Sequence, residues 1–398
     1  MVIFVTLMIF GIIGFGVPRK HLQGYMIFAA FCISSLYLFF TPRPTWDLAR
    51  HYEVLHALRK CDFLSVVTGN IHSSNALLMD YADHSRVYAI YAYLISKLNY
   101  DGLLPAITGF IIYSTVSRII MMAADDVGQD IEDWKISFCF FFLLAALDFR
   151  TISGIRNMLA YALFCYVLYR DLVRNGNKMV CLLIYLILAN LHSTIYIYLV
   201  IRILVAFSRI ISEWILGAFI LALYPLQELF THFLERFSHI EMVSHFLVKS
   251  AIYTVGGGTQ AVGSFFIIWI LRIFLTLLYL FLYTYAVRKI QGPKKFQMYG
   301  RFYLYAILFA FGAVRQLDIF LRNDILMYFL IYPFLLLILK NLVAETPLEI
   351  IIPDDSKVGF LEVIICLMIL VIVVFSLIIY MAGFYPPMDS GFHLRLMR

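Results

Sequence analysis

Residues 148–170 read Asp-Phe-Arg-Thr-Ile-Ser-Gly-Ile-Arg-Asn-Met-Leu-Ala-Tyr-Ala-Leu-Phe-Cys-Tyr-Val-Leu-Tyr-Arg. One apolar run ends just before this stretch and another begins inside it. At the junction sit Arg150, Ser153, Arg156 and Asn157, crowded against sequence apolar enough to span a bilayer. A guanidinium beside a bilayer core is costly, so it is usually retained for a partner or a substrate. Ser153 is placed to cap the helix that follows, whose free N–H groups and dipole favour an anion. Ser153, Arg156 and Asn157 stand at i, i+3 and i+4, on one helical face. Two guanidiniums at a helix start suit phosphate or pyrophosphate. They equally suit snorkelling to lipid headgroups.

Working outward, the composition sets the class. The chain of 398 residues is 63% hydrophobic and only 14% charged, with a mean hydropathy of +0.87. Runs of about 20 apolar residues recur from end to end, which predicts an all-α polytopic membrane protein. A β-barrel would show short alternating segments instead. The 6 cysteines lie mostly in apolar runs, with neither CxxC nor a Cys/His metal spacing, so neither a disulfide framework nor a zinc site is expected. The net charge of +6 bears on topology rather than on a nucleic-acid partner. The N-terminus runs straight into an apolar segment without a basic region, so no cleaved signal peptide is expected.

About twelve spans are expected, near 2–17, 24–41, 102–123, 135–148, 154–170, 179–191, 193–208, 213–229, 262–287, 302–317, 319–341 and 358–382. Several are short for a straight crossing, so a total of about 10 or 11 also fits. Together they make one membrane domain over 1–398. Lys and Arg collect in the short loops after the first, fifth, seventh and ninth spans, at Arg19, Lys20, Arg170, Arg174, Lys178, Arg209, Arg288, Lys289, Lys294, Lys295 and Arg301. In an up-and-down count these loops share one side, taken as cytoplasmic. Two long outer loops result. In residues 42–101, Pro42 and Pro44 stop a helix, a new one begins at Asp47, and 87–98 is apolar but short, fitting an interfacial or re-entrant helix. Residues 230–261 carry His232, His239, His245, Lys249 and three glycines, Gly256 to Gly258. That loop is a candidate lid or a linker.

On this topology the unusual polar residues gather outside: Asp47, Arg50 and His51; Arg150 and Arg156; His192; and Arg315, Asp318, Arg322 and Asp324. Four distant segments thus deliver ionisable groups to one face, against the positive-inside tendency. A shared outward-facing anionic ligand accounts for this economically. Each piece also has a plainer account. Asp47 and Arg50 form an i, i+3 surface pair, His192 caps a helix, and Arg322 is neutralised by Asp318 and Asp324. Asp125, Asp126, Asp354 and Asp355 fall on the inner side and read as surface charge. No phosphate-binding glycine loop, dinucleotide glycine pattern or HExxH motif occurs.

The islands Asp47-Leu-Ala-Arg-His-Tyr52, Ser153-Gly-Ile-Arg156-Asn-Met-Leu-Ala160 and Leu191-His192-Ser193, with Arg322 ahead of Tyr328-Phe329 and Pro333, carry a resemblance. The chain looks like the EpsG/Wzy-type membrane proteins that polymerise bacterial polysaccharides. Where the family usually has Gln after the island's arginine, this chain has Asn157. Such proteins resemble the GT-C class of glycosyltransferases. The resemblance implies a GT-C-like fold in a bacterial inner (plasma) membrane, with the active site facing the periplasm or exterior. It implies undecaprenyl-pyrophosphate-linked glycans as donor and acceptor, with a chain-length regulator and a flippase as protein partners. Asp47 would be the base and His192 its alternative. Arg150, Arg156 and Arg322 would hold pyrophosphate, with Arg50, Tyr52, Ser153, Asn157 and Arg315 completing the substrate site. Neither a metal nor another cofactor is expected. Competing readings are a ligase or single-sugar transferase with a polyprenyl-linked donor, a transporter of lipid-linked glycans, and a membrane acyltransferase. Inverted repeats and midplane polar groups would mark the transporter. A carrier-facing histidine would mark the acyltransferase.

Overall fold

The computed structural model describes residues 2–341 except 41, 43–46, 72, 74, 148–153, 209, 224–232, 241–242, 245–261, 289–293 and 315–316. Among the described residues the regular structure is entirely helical. Arg150, Ser153 and Arg315 lie outside them, as do most of the 230–261 loop and the expected span at 358–382.

Two compact units form, Met1–Tyr196 with Tyr332–Arg398, and Ile197–Ile331. In the first, α1 (Val2–Gly14) and α2 (Arg19–Leu36) precede a 3₁₀ turn, Tyr37–Phe39. Four short helices follow: α3 (Asp47–Leu58), α4 (Phe63–Thr68), α5 (Ala76–His84) and α6 (Arg86–Ser96). Longer ones come next: α7 (Leu103–Val127), α8 (Asp133–Ala146), α9 (Ile155–Leu172) and α10 (Lys178–Leu191). The second unit holds α11 (Thr194–Phe207) from Ile197 onward, α12 (Glu213–Ala222), α13 (Val262–Arg288), α14 (Gln297–Gly312) and α15 (Leu317–Leu330), after which α16 (Tyr332–Asn341) returns to the first.

Among the described residues, two helical stretches, Arg19–Phe39 and Leu103–Val127, are long and apolar enough to cross a bilayer. Taken as one bent span, α15 and α16 would make a third. Part of the difference from about twelve expected spans is one of length, and part is that 358–382 and the end of 213–229 lie outside the described residues. Helices α8, α10 and α11 have 14 residues each. At 1.5 Å per residue that is about 21 Å, short of a hydrocarbon core of about 30 Å. The expected span at 319–341 is two helices because Pro333 has no N–H for the Phe329 carbonyl and its ring crowds that carbonyl, so the helix breaks between them at Ile331.

In the first unit α7 is the central post, with α2, α9 and α16 against it. Close approach explains two glycines there. A Cβ on Gly102 would strike the Leu38 carbonyl, and one on Gly109 would lie 2.7 Å from the Tyr37 ring. The Tyr37 hydroxyl meets that of Tyr113 at 3.0 Å, and Tyr113 donates to the Leu147 carbonyl at 2.8 Å. That chain of bonds secures the end of α8, just before the junction at 148–153. At the opposite end of α7, Asp125 pairs with Arg19 at 3.1 Å and Asp126 accepts from Arg174 at 2.7 Å and Tyr169 at 2.9 Å. These carboxylates tie three helices together, a more specific role than the surface charge expected of them.

The four short helices are each started by a local cap or an apolar face. On α3 the buried residues Leu48, His51, Val54, Leu55 and Leu58 form one helical face. The Asp62 carboxylate accepts from the Ser65 N–H at 2.8 Å to start α4, and the Asn75 side chain accepts from Leu78 N–H at 3.0 Å to start α5. Gly69 ends α4 at φ 82°, the left-handed conformation glycine tolerates best. Helices α3, α4 and α5 all pack on α6, which in turn meets α7 and α10. The expected helix at Asp47 is α3, and the apolar run at 87–98 falls on α6; α4 and α5 were not foreseen.

Candidate functional site

The break between α5 and α6 at Ser85 places Tyr81 four residues before it and Tyr88 three residues after. Both rings therefore turn towards one place and meet edge to face, with centroids 5.1 Å apart. Into that corner reaches Arg156 from the second position of α9. Its guanidinium carbon lies 4.1 Å from the Tyr81 ring centroid and 5.7 Å from that of Tyr88. Its Nη1 donates to the Ser85 hydroxyl at 3.1 Å. Among the described residues it meets no carboxylate within 4.0 Å. Stacking on aromatic faces holds the guanidinium without neutralising it, so its charge remains available.

Behind the tyrosines stands His51. The Tyr88 hydroxyl is 2.8 Å from His51 Nδ1 and the Tyr81 hydroxyl 3.4 Å from the same nitrogen. The imidazole stacks on Tyr81 and meets Tyr88 edge to face. Burial pushes the His51 pKa down to about 3, assisted by the positive charges of Arg156 and Arg50. The ring is therefore neutral. Burial also raises the Tyr81 and Tyr88 hydroxyls well above the usual phenol range, so both keep their protons. Two protonated phenols beside one nitrogen make Nδ1 the acceptor and leave the ring proton on Nε2.

At the rim of the same face, Asp47 and Arg50 are exposed and 3.7 Å apart. Asp47 lies close enough to act electrostatically on Tyr81 and Tyr88, and Arg50 on His51 and Tyr81. The structure thus brings together Asp47, Arg50 and Arg156, from two segments about a hundred residues apart. It separates Tyr52, whose hydroxyl donates to the Phe40 carbonyl at 3.4 Å and whose pKa is raised, first by burial and then by Asp101. Asn157 is half-buried beside Arg156 on α9.

His192, nearly fully buried, accepts the Thr194 N–H on Nδ1 at 3.2 Å and meets Tyr161 edge to face. That is the geometry of a cap for α11. Arg322 is half-buried on α15 in the second unit. Of the two carboxylates expected to neutralise it, the side chain of Asp318 lies outside the described residues, and Asp324 pairs with Arg272 of α13. Beside it Tyr198 donates to the Asn323 side chain. Among the described residues no three His, Cys, Asp or Glu side chains converge into a set able to hold a metal ion.

Sequence reasoning passed over Tyr81, Ser85, Tyr88 and Arg272. The first three had no signal in their spacing, because the break at Ser85 puts the two tyrosines on different helices. Arg272 had one, as the lone charge between Val262 and Val287 in an otherwise apolar run. Comparison of the chain with protein-family models, with curated proteins and with solved structures finds no match.

Proposed function

We propose that this chain is a GT-C-like polytopic membrane glycosyltransferase that polymerises polyprenyl-pyrophosphate-linked repeat units at the outer face of a bacterial plasma membrane. The observation that carries this reading is Arg156, a half-buried guanidinium held by Ser85 and two tyrosine faces with its charge not spent on a carboxylate. A planar cation fixed in this way suits an oxyanion, and a departing pyrophosphate needs positive charge where negative charge develops. Asp47, exposed at the rim of the same cluster, is the group proposed to take a proton.

In the proposed step the acceptor hydroxyl attacks the anomeric carbon of the donor glycan. The bond from that carbon to the pyrophosphate oxygen breaks, its electron pair leaves with undecaprenyl pyrophosphate, and Asp47 receives the hydroxyl proton. Arg156 and Arg50 stabilise the leaving group, with Arg150, Arg315 and Arg322 proposed to share that role. His192 is the weaker base because its Nδ1 is occupied by the Thr194 N–H.

A second reading, transport of the lipid-linked glycan, is favoured by one feature. Arg272 and Asp324 pair in the middle of apolar helices, and charges at such depth often line a translocation path. One experiment separates the two. Purified full-length protein in vesicles is given polyprenyl-pyrophosphate-linked repeat units. A ladder of chain lengths, abolished by Arg156→Ala, is the expected result. A single addition would indicate a transferase, and movement across the vesicle without new bonds would indicate transport; either overturns the polymerase reading.

A further inference from the structure

We propose that His51 is a positioning residue of the anion site: as a neutral Nδ1 acceptor for the Tyr88 and Tyr81 hydroxyls, it fixes the two rings on which the Arg156 guanidinium lies. The inference rests on the proposed anion site and adds to it the device that keeps its cation aimed. Neither the resemblance nor the residue spacing assigned His51 such a part.

The geometry makes the dependence specific. Tyr81 and Tyr88 belong to different helices that meet at Ser85, so nothing in the backbone of either helix alone fixes the angle between their rings. His51, from a third helix, touches both, one by stacking and one edge to face, while its Nδ1 lies within reach of both hydroxyls. Without that acceptor, two buried phenol O–H groups lose their described partner. Each would then turn in search of another, moving the surface under Arg156. The groups acting on His51 are Arg50 from its own helix, Tyr81 from α5, Tyr88 from α6 and Arg156 from α9, while Asp47 and Asp80 act on Tyr81. Two of them are guanidiniums, so a protonated His51 would both lose its acceptor nitrogen and repel the cation that the rings support. Its depressed pKa fits a role that needs the neutral ring.

The test uses purified full-length protein and inorganic pyrophosphate as probe, with affinity measured near neutral pH. Arg156→Ala should weaken binding by about tenfold or more, because a charge-assisted contact is lost. His51→Leu should weaken it by about fivefold to tenfold. His51→Gln, whose side-chain carbonyl restores an acceptor, should bind within about threefold of the unsubstituted protein. Tyr88→Phe, which removes only the hydroxyl, should resemble His51→Leu, and the double variant should be no weaker than either single one. If Arg156→Ala weakens binding while His51→Leu and Tyr88→Phe leave it unchanged, positioning by His51 is wrong and the anion site stands. If Gln fails to restore what Leu removes, the acceptor role is wrong. If Arg156→Ala itself binds like the unsubstituted protein, the site is wrong, whatever His51 does. Should His51→Leu fail to fold, Tyr88→Phe alone decides the acceptor question.

Discussion

Acidification should loosen the four-helix segment of residues 47–96 selectively, and His51 makes the size calculable. In the folded protein its pKa is lowered to about 3, whereas in an opened segment it returns to about 6.5. The opened form therefore binds a proton that the closed form refuses. The stability contributed is complete above pH 6.5 and falls as the pH drops from there towards 3. Between pH 7.5 and pH 5 the loss is about 1.4 × 1.5, or roughly 2 kcal/mol, equivalent to about thirtyfold more opening. Hydrogen exchange of α3, α5 and α6 amides, corrected for the intrinsic effect of pH, reads this directly. His51→Gln cannot take up the proton and should show a much smaller change. Equal loss of protection in the two proteins would refute the argument. So would full protection of the unsubstituted protein at pH 5. Either result would mean that the imidazole is hydrated or already charged in the folded state.

In the second unit, Arg272→Met should destabilise by about 3–5 kcal/mol, since it removes the cation paired with the fully buried Asp324, and Asp324→Leu should cost less because Arg272 is partly exposed. The double variant should recover most of that loss, as read by the thermal midpoint of the purified protein. Gly102→Ala should lower the midpoint more than Gly109→Ala. Its Cβ meets the backbone carbonyl of Leu38, which cannot swing aside as the Tyr37 ring can. Asp171, almost fully buried, accepts from Lys178 at 2.7 Å and from Tyr185 at 3.2 Å. Asp171→Asn should cost about 1–3 kcal/mol, and exchange at the junction of α9 and α10 should show it first.

The helices of the bulk fold were legible because each is an apolar run, and the bounds of α7, α9, α10 and α11 fall within a few residues of their expected spans. What the sequence concealed has physical causes. Helices α4 and α5 are too short and mixed to show a period; they start at Asp62 and Asn75 through side-chain caps, a signal of one residue each. The division of 319–341 was written in Pro333, but an apolar run continues through it and masks the break. The site was legible as a set of residue types and illegible as a set of neighbours. Arg156 and Asp47 stood out by chemistry, whereas Tyr81, Ser85 and Tyr88 become partners only when the chain folds a turn at Ser85 over the start of α9. Periodicity within one element carries no information about which element lies across from it.

Arg156 is best understood against five cations of its unit that meet carboxylates. Arg19 meets Asp125, Arg59 meets Asp101, Arg174 meets Asp126, Lys178 meets Asp171 and Lys340 meets Asp130. Each of those pairs closes a structural tie within the unit. Arg156 lies instead on two aromatic faces with one N–H given to a serine hydroxyl, which orients the cation and leaves its charge intact. The distinction yields a sharp expectation for Arg156→Lys. A lysine keeps the charge but has no planar fork to lie on Tyr81 while donating to Ser85 and to an anion together. If Arg156 were only another structural cation or a headgroup anchor, lysine would serve nearly as well, and pyrophosphate affinity would be unchanged. If it is an oriented oxyanion ligand, Arg156→Lys should lose at least about fivefold in affinity with little change in thermal midpoint. Unchanged binding by the lysine variant would remove the orientation argument and leave charge alone as the site's contribution.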